Sequence, residues 1–200
     1  MADIVIASSN QGKINDFKVI FFEDNVIGIN EMIEDFDVEE TGTTFEENAR
    51  LKSEAAAKLL NATVIADDSG LEVAALNGEP GVYSARYAGV QKSDEANIEK
   101  VLKGLENEEN RAARFVCVIS MTTATGETTT FKGTVEGEIT LSQIGENGFG
   151  YDPIFLIPER QKTMAQLTAE EKSEISHRRK AIDQLKAYIE GEEKRKSLSS

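Results

Sequence analysis

Two adjacent carboxylates, Asp67 and Asp68, directly follow a short apolar run at residues 64–66. Such a run, bounded by turn residues, is typical of a buried strand, and Ser69-Gly70 predicts the turn that ends it. Open α/β sheets bind their ligands at the carboxyl ends of strands. We therefore expect both carboxylates at such an edge, although an acidic turn explains an isolated Asp-Asp pair more simply.

A polar segment joins a predicted strand at residues 3–8 to a predicted helix that begins near Gly12 or Lys13. The first N–H groups of a helix attract anions, and the Lys13 ammonium would add a full positive charge. The segment lacks the glycine and lysine spacing of a Walker loop. Because every strand-to-helix connection needs polar residues, this signal is weak on its own.

Two glutamates precede or begin the next predicted helix, residues 45–60. Thr44 at the N-cap and Glu47 at the third helical position form a capping-box pattern, which accounts for Glu47. No such local role accounts for Glu40, so Glu40 is the better candidate metal ligand. Lys52 falls among apolar residues of this helix, where it either extends to solvent or reaches into a site, and the pattern alone favours solvent.

The loop at residues 147–153 displays Phe149, Tyr151 and Asp152 among glycines. An aromatic ring in such a loop either anchors the loop to the core or offers a face on which a base stacks. Stacking of this kind is worth about 1–3 kcal/mol for nucleic-acid bases. The residue types leave both roles open.

The single histidine, His177, lies in a basic stretch that also holds Lys172 and Arg178. In one straight helix Lys172 and His177 would point about 140° apart. We predict instead a break between Glu174 and His177, with Ser176 capping a new helix whose first residues can face an anion. A lone histidine is more often structural, and it excludes a metal cluster built from histidines.

The rest of the pattern predicts an α/β protein. Residues 82–88 look extended, a helix follows Ser93, and two strands at residues 114–122 and 127–137 predict a hairpin. No linker or repeat divides the chain. We expect one domain over residues 1–190, followed by a disordered or frayed, charged tail at residues 191–200.

Composition restricts the classes of function. The 200-residue chain has a formal net charge of −14, which disfavours binding to the polyanionic backbone of nucleic acids. No apolar run approaches the roughly 20 residues of a membrane-spanning helix, and the N-terminus has no basic region of a signal peptide. The single Cys117 fits a reducing, cytoplasmic location and a buried structural thiol.

Taken together and in order, these motifs resemble the inosine triphosphate pyrophosphatase family. The similarity spans residues 5 to about 180. It rests on SSNQGK at 8–13, ETGTTFEENA at 40–49 with Lys52, ADDSGL at 66–71, PGVYSARY at 80–87, GFGYDP at 148–153 and KSEISHR at 172–178.

The resemblance implies an elongated α/β fold with a long central mixed sheet flanked by helices, and two lobes with the active-site cleft between them. It also implies a homodimer that hydrolyses ITP, dITP and XTP to the monophosphate and pyrophosphate, which clears deaminated purines from the nucleotide pool. Because a triphosphate brings about four negative charges to an acidic protein, we expect Mg²⁺, which prefers oxygen ligands, as the cofactor.

The resemblance also implies roles by position. Asp68 matches a general base and metal ligand that Asp67 supports, and Glu40 matches the other metal-binding carboxylate. The residues that match the triphosphate site are Ser8, Ser9, Asn10, Gln11, Gly12, Lys13, Lys52, Ser69 and Lys172, to which Arg178 can be added. The residues that match the base and sugar site are Phe149, Gly150, Tyr151, Asp152, His177 and Arg178.

One departure and two alternatives remain. The family usually has Glu three residues after the motif lysine, where this chain has the shorter Asp16, so a contact of Asp16 with the metal shell stays open. One alternative is a pyrophosphatase of the same fold that prefers a pyrimidine or modified nucleotide. The other is a nucleotide-binding regulator without catalysis. The base-site motifs argue against the first, and the complete set of carboxylates argues against the second.

Overall fold

Seven strands form one mixed sheet, in the order β2-β1-β3-β4-β5-β6-β7, in the computed structural model, which describes residues 3–199. The strands are β1 (Asp3–Ile6), β2 (Asn25–Gly28), β3 (Val64–Val73), β4 (Ala112–Thr122), β5 (Thr128–Ile139), β6 (Phe155–Ile157) and β7 (Lys162–Thr163). The helices that flank the sheet are α1 (Gln11–Ile20), α2 (Phe45–Leu60), α3 (Asp94–Gly104), α4 (Ala169–Ile175) and α5 (His177–Ser199). The predicted α/β class with a mixed sheet is confirmed.

Strand β3 joins the parallel and the antiparallel parts of the sheet. β1 runs parallel beside it and pairs with it only between Ile6 and Ile65. β4 instead pairs antiparallel with all ten residues of β3, from Val64 to Val73. β3 therefore continues well past the end of β1. The point where β1 stops is a change of sheet topology, the kind of place at which open α/β sheets bind ligands.

The turn predicted at Ser69-Gly70 is wrong, because both residues lie inside β3. Ser69 pairs with Cys117 of β4, so the backbone stays extended through the acidic pair and beyond it. Gly70 has a different reason for being glycine. A Cβ atom there would lie too close to the hydroxyl of Ser84, which packs directly against this part of the strand.

Residues 82–88 are not extended, as the sequence had led us to expect, but fall mainly in a 3-10 helix, Gly81–Arg86. The hydroxyl of Ser84 donates to the carbonyl of Gly81 at 2.6 Å and accepts from the N–H of Leu71 in β3 at 2.9 Å. These two bonds close the turn and fasten it to β3. A long-range partner, which no local pattern shows, thus decides this conformation.

The predicted break before His177 is confirmed. α4 ends at Ile175, Ser176 has extended backbone angles, and α5 begins at His177. The Ser176 hydroxyl accepts from the N–H of Arg179 at 3.0 Å, as an N-cap does. α5 also packs so closely on β5 that a Cβ atom at Gly133 would collide with the His177 carbonyl. This contact fixes the height of His177 above the sheet.

Separate apolar clusters lie at the two ends of β3. One contains Leu71 and Val73 together with residues of α3, β4, β5 and β6. The others contain Val64 and Ile65 together with residues of β1, α1, α2 and α5. The residues between these clusters include the acidic pair. The extent of a single two-lobed domain over residues 1–190 stays a prediction.

The segment at residues 191–199 continues α5 instead of forming the frayed tail that we expected. It contains no proline, and a side-chain pair one turn apart, Arg195 with Glu192 at 2.7 Å, supports the helix. Met1, Ala2 and Ser200 lie outside the described residues. In the part of the chain that the structure describes, no helix is both long and apolar enough to cross a membrane.

Candidate active site

A cleft of about 520 Å³ opens beside Asp68 of β3. The predicted site residues that line it are Ser8, Ser9, Asn10, Lys13, Glu40, Lys52, Asp68, Ser69, Phe149, Gly150, Tyr151, Asp152, Lys172, His177 and Arg178. Two predicted residues do not line it. Gln11 donates to the Asn15 side chain on the exposed side of α1, and Gly12 lies under the Phe149 ring.

The start of α1 is organised by a side-chain cap. The Asn10 side-chain oxygen accepts from the N–H of Lys13 at 3.1 Å, and the Ser8 hydroxyl accepts from the N–H of Asn10 at 3.1 Å. The helix begins at Gln11, slightly earlier than predicted. Because the cap occupies the Lys13 N–H, the main positive charge that Lys13 presents is its ammonium group.

Asp67 is a fully buried carboxylate that two cations keep ionised. Its Oδ2 atom lies 3.2 Å from the Lys13 ammonium and 3.2 Å from the Arg178 guanidinium. Burial alone would raise the pKa of Asp67, but Lys13, Arg178 and Lys52 together hold it well below its usual range. Asp67 does not line the cleft itself. It fixes cations that do.

Asp68 faces the cleft because adjacent residues of a strand point to opposite sides. Its Oδ1 atom accepts from the N–H of Ser69 at 3.0 Å, and its Oδ2 atom is buried without a hydrogen-bond partner among residues 3–199. Burial, together with the charges of Glu40 and Asp67, raises the pKa of Asp68 to about 6, although two nearby lysines oppose the shift.

Glu40 enters the same cleft beside Lys52 of α2. The Glu40 carboxylate lies 2.7 Å from the Lys52 ammonium and 3.8 Å from the Arg86 guanidinium. Burial would raise the pKa of Glu40, but Lys52 holds it below its ordinary value. Lys52 reaches into the site, so the solvent-facing position favoured by the pattern alone is wrong. Burial would lower the pKa of Lys52, but the surrounding carboxylates raise it.

Glu47 contributes to the start of α2 and does not line the cleft. Its carboxylate accepts from the N–H of Thr43 at 2.6 Å. In a capping box it would instead accept from the N–H of the N-cap residue, Thr44. The Asn48 side-chain oxygen accepts from the N–H of Gly42 at 2.8 Å. The two side chains hold the segment that follows Glu40, so they position the glutamate that does reach the cleft.

Asp16, whose contact with the metal shell the sequence left open, pairs with two cations of the cleft wall. Its carboxylate lies 2.6 Å from Arg178 and 3.5 Å from Lys172. Lys172 also donates to Asp152 at 2.8 Å. Burial raises the pKa of Asp152, and Lys172 counteracts part of this rise. Asp16 thus bridges Lys172 of α4 and Arg178 of α5 and does not line the cleft.

The Arg178 guanidinium is largely occupied by protein partners. One terminal nitrogen donates to Asp16, and the other donates to Asp67 at 3.2 Å and to the Ser69 hydroxyl at 3.1 Å. Its Nε atom is buried without a partner among the described residues. Of the five guanidinium N–H groups of Arg178, the Nε–H and one terminal N–H therefore remain for a ligand, and its visible contribution is to neutralise Asp67.

His177 is a neutral, buried ring at the cleft. It stacks on Phe115 with ring centroids 4.9 Å apart, and its Nδ1 atom is buried without a described partner. Burial lowers the pKa of His177 well below its usual value, and the charges of Arg178 and Lys172 lower it further. A neutral imidazole carries one donor and one acceptor. The neutral His177 ring is therefore better suited to hydrogen-bond the edge of a base than to bind a phosphate anion, the other ligand expected at the start of this helix.

The loop before β6 is anchored at several points. The Phe149 ring covers Gly12 so closely that a Cβ atom there would collide with it. The Lys172 ammonium lies 4.7 Å from the centroid of the same ring. The Tyr151 hydroxyl donates to the Ser84 carbonyl at 2.5 Å. Phe149 therefore anchors the loop, and it also lines the cleft, where stacking on a base stays a prediction.

Arg86 and Phe115 are among the cleft residues that the sequence did not predict, whereas the prediction of a buried structural thiol is confirmed. Arg86 lay within a matching motif but carried no assigned role, and Phe115 looked like an ordinary core residue of a strand. Cys117 is fully buried, and burial raises the pKa of its thiol to about 12. A thiol with this pKa is inert as a nucleophile near neutral pH.

Glu40 and Asp68 are the cleft carboxylates best placed to hold a metal ion. The charge of Glu40 contributes to the raised pKa of Asp68, and an Asp68 oxygen is unpartnered, so a cation would relieve both conditions. Within the described residues no group of three or more His, Cys, Asp or Glu could hold a metal by itself. The other ligands would have to be substrate oxygens and water, as is common for Mg²⁺.

Replacing Asp68 with Asn should stabilise the protein near pH 7 when divalent ions are chelated. A pKa raised from 3.8 to about 6 means that the charged carboxylate costs about 3 kcal/mol of folding free energy at pH 7. For a carboxyl whose pKa is raised on folding, the protonated form contributes its full stabilisation at pH values below the pKa of the unfolded state. This contribution is lost as the pH rises through the pKa of the folded state. Thermal unfolding followed by circular dichroism should therefore give D68N the higher Tm at about pH 7.5.

The difference in Tm should shrink towards zero near pH 4, where the wild-type carboxyl is protonated in the folded protein. Asp183→Asn is the matched control, because Asp183 is exposed and, within residues 3–199, its ion pair is with Arg179, one turn away. A D68N effect that is destabilising, or that does not vary with pH, would contradict the electrostatic account of this residue.

The chain matches known proteins over nearly its full length. The model of the Ham1 family matches residues 4–188. A curated protein of Staphylococcus aureus named dITP/XTP pyrophosphatase is 71% identical over 192 residues, which cover 96% of this chain and 98% of that one. A Staphylococcus epidermidis protein of the same name is 69% identical over 193 residues, which cover 96% of this chain and 99% of that one.

Solved structures agree with these relatives. The structure of the Staphylococcus aureus Ham1 protein has a TM-score of 0.85 at 71% identity, covering 95% of this chain and 99% of that chain. The Ham1 protein of Coxiella burnetii has a TM-score of 0.85 at 43% identity, covering 96% and 100%. The resemblance found in the motifs is thereby confirmed, and this chain belongs to the Ham1 family.

Proposed function

We propose that this protein hydrolyses the triphosphates of deaminated purines, namely ITP, dITP and XTP, to the monophosphate and pyrophosphate. The observation that carries the proposal is a single cleft that unites an unpaired oxygen of Asp68, several cations and an aromatic loop. Relatives that share about 70% of their residues with this chain are named dITP/XTP pyrophosphatase. The same activity is the one that the sequence motifs imply.

Asp68 would act as the general base. A carboxyl with a pKa of about 6 is mostly ionised at pH 7 and is a stronger base than an ordinary aspartate. Its free Oδ2 would accept a proton from a water that attacks the α-phosphorus in line. The bond between the α-phosphorus and the bridging oxygen then breaks, and pyrophosphate leaves. No covalent intermediate is needed.

Glu40 and Asp68 would hold Mg²⁺, which we propose as the cofactor. When bound, the ion neutralises charge on the phosphate oxygens. Neighbouring groups give the two carboxylates different proton affinities. Lys52 lowers the pKa of Glu40, whereas burial leaves Asp68 with a raised one. Glu40 is thus the better permanent anion and Asp68 the better proton acceptor.

Three lysines would bind the triphosphate. Lys13, Lys52 and Lys172 come from α1, α2 and α4, and each is already held by a carboxylate at 2.7–3.2 Å. These pairs position the ammonium groups before substrate arrives, so little rearrangement is required as charge develops on the leaving group. The polar segment Ser8, Ser9 and Asn10, and the hydroxyl of Ser69, line the same cleft.

Selectivity for the base would depend on hydrogen-bond donors near His177. Hypoxanthine and xanthine carry a 6-oxo acceptor where adenine carries an amino donor. A site that offers the His177 ring and the free Nε–H of Arg178 leaves donors unpaired, or facing another donor, when ATP binds. Phe149 supplies the face for stacking, and its loop residues Gly150, Tyr151 and Asp152 complete that wall.

We further propose that the protein acts as a homodimer in the cytoplasm on free nucleotides, and not on nucleic acids or membranes. The net charge of −14 supports the preference for small substrates, because a polyanion would be repelled. The dimer follows from the family resemblance. Sedimentation velocity at micromolar concentration tests it, and a species with only the monomer mass of 21.9 kDa would contradict it.

The substrate class is tested by pyrophosphate release from ITP, dITP, XTP, GTP, ATP and dUTP with Mg²⁺. We expect kcat/KM for the first three to exceed that for ATP by about 10–100-fold, the effect of about one mismatched buried donor. A clear preference for dUTP would favour the pyrimidine alternative. If no nucleotide is hydrolysed while Asp68→Asn still binds ITP, the protein is a regulator.

The metal assignment is tested by comparing Glu40→Gln with Glu47→Gln. E40Q should raise the Mg²⁺ concentration needed for half-maximal ITP hydrolysis by at least about 10-fold, since it removes a proposed ligand. E47Q should keep the wild-type Mg²⁺ dependence and lower only the Tm, because Glu47 holds the Thr43 N–H at the helix start. The reverse result would move the metal role to Glu47.

A further inference from the structure

Arg86 is a cation of the cleft to which the sequence motifs assigned no role. It ends the 3-10 helix Gly81–Arg86 and lines the same cleft as Lys13 and Lys52. Its guanidinium lies 3.8 Å from the Glu40 carboxylate and 5.2 Å from the centroid of the Tyr83 ring. The side chain is 32% exposed, so a solute in the cleft can reach it.

The backbone on both sides of Arg86 is held by one buried side chain. Asn97 of α3 donates through its Nδ2 atom to the carbonyl of Ala85 at 3.1 Å. Its Oδ1 atom accepts from the N–H of Ala88 at 2.7 Å. Ser84 ties the preceding turn to β3. The guanidinium therefore extends from a fixed point of the fold, as a side chain that binds a ligand should.

The ion pair of Arg86 is looser than those of its neighbours. Its 3.8 Å separation from Glu40 compares with 2.7 Å for Lys52 and the same carboxylate. Among the ion pairs of the cleft's described lysines and arginines it is the longest. Glu40 is also the carboxylate that the proposed function gives to the metal. A divalent ion on Glu40 would repel Arg86 and release the guanidinium for another anion.

The contacts of Arg86 also tie it to the part of the cleft that the proposed function assigns to the metal and the phosphates. They connect it to Glu40 and, through Glu40, to Lys52. Among the described hydrogen bonds and ion pairs, none joins Arg86 to Phe149 or His177, which the proposed function assigns to the base. The planar guanidinium fork matches pairs of phosphate oxygens better than an ammonium does.

We infer that Arg86 binds the terminal two phosphates of the substrate and the pyrophosphate that leaves, exchanging Glu40 for phosphate oxygens when substrate and metal enter. The inference rests on the proposed function. As the bond to the α-phosphorus breaks, negative charge grows on the pyrophosphate, and a guanidinium held beside Glu40 stabilises it. Arg86 would then be a catalytic residue for the leaving group, beyond the three lysines.

The test compares wild type, Arg86→Gln and Arg86→Lys, with Arg114→Gln as the matched control. Arg114 pairs with Glu72 at 2.6 Å and does not line the cleft. Calorimetry with inorganic pyrophosphate plus Mg²⁺, and separately with IMP, measures binding to the two halves of the site. We expect R86Q to weaken pyrophosphate binding about 10-fold or more, to leave IMP binding unchanged and to lower kcat/KM for ITP about 10-fold or more. R86K should fall between R86Q and wild type.

The outcomes separate this inference from the proposed function. If wild type hydrolyses ITP while R86Q binds pyrophosphate like wild type, Arg86 has no role at the leaving group and the inference is wrong. Equal weakening of pyrophosphate and IMP binding would also overturn it. If wild type binds pyrophosphate but hydrolyses no nucleotide, the proposed activity fails, and calorimetry alone decides the binding role of Arg86. Should R86Q not fold, Arg86→Met provides the neutral side chain.

Discussion

The buried charge of Asp67 is the interaction on which the site depends. An ionised carboxylate in a protein interior is costly unless cations and hydrogen bonds compensate it. Here the compensation comes from Lys13 near one end of the chain and Arg178 near the other. Both are cleft residues, so pairing with Asp67 also fixes where their charges lie. Asp16 extends the network by holding Arg178 from its other side.

Because side chains alternate along β3, Asp67 and Asp68 lie in different environments and have different roles. Asp67 points to the buried, basic side and has a lowered pKa, whereas Asp68 points to the cleft and has a raised one. Two identical residues, adjacent in sequence, thereby acquire opposite proton affinities. A strand is required for this, since a turn at Ser69-Gly70 would not hold the two carboxylates on opposite faces. The unfavourable environment of Asp68 is the kind of local destabilisation that functional sites retain.

Local sequence signals predicted much of the fold. The N-caps at Thr44 and Ser176 were predicted correctly because each accepts a hydrogen bond from a backbone N–H three residues later. The two errors in backbone conformation have a common cause. Ser69-Gly70 stays extended through its pairing with β4, and Gly81–Arg86 coils because Ser84 binds β3. Such partners are distant in the chain, and no local pattern records them.

The sequence by itself determined the residue types of the site, the helix boundaries near them and the family to which they belong, because these depend on local hydrogen bonding and on the order of motifs. Only the tertiary structure decided which cation meets which carboxylate, why Asp68 and not Asp67 lines the cleft with a raised pKa, and that Arg86 stands beside Glu40. The physical reason is that burial and charge pairing are set by residues distant in sequence, and these contacts fix the pKa of each group.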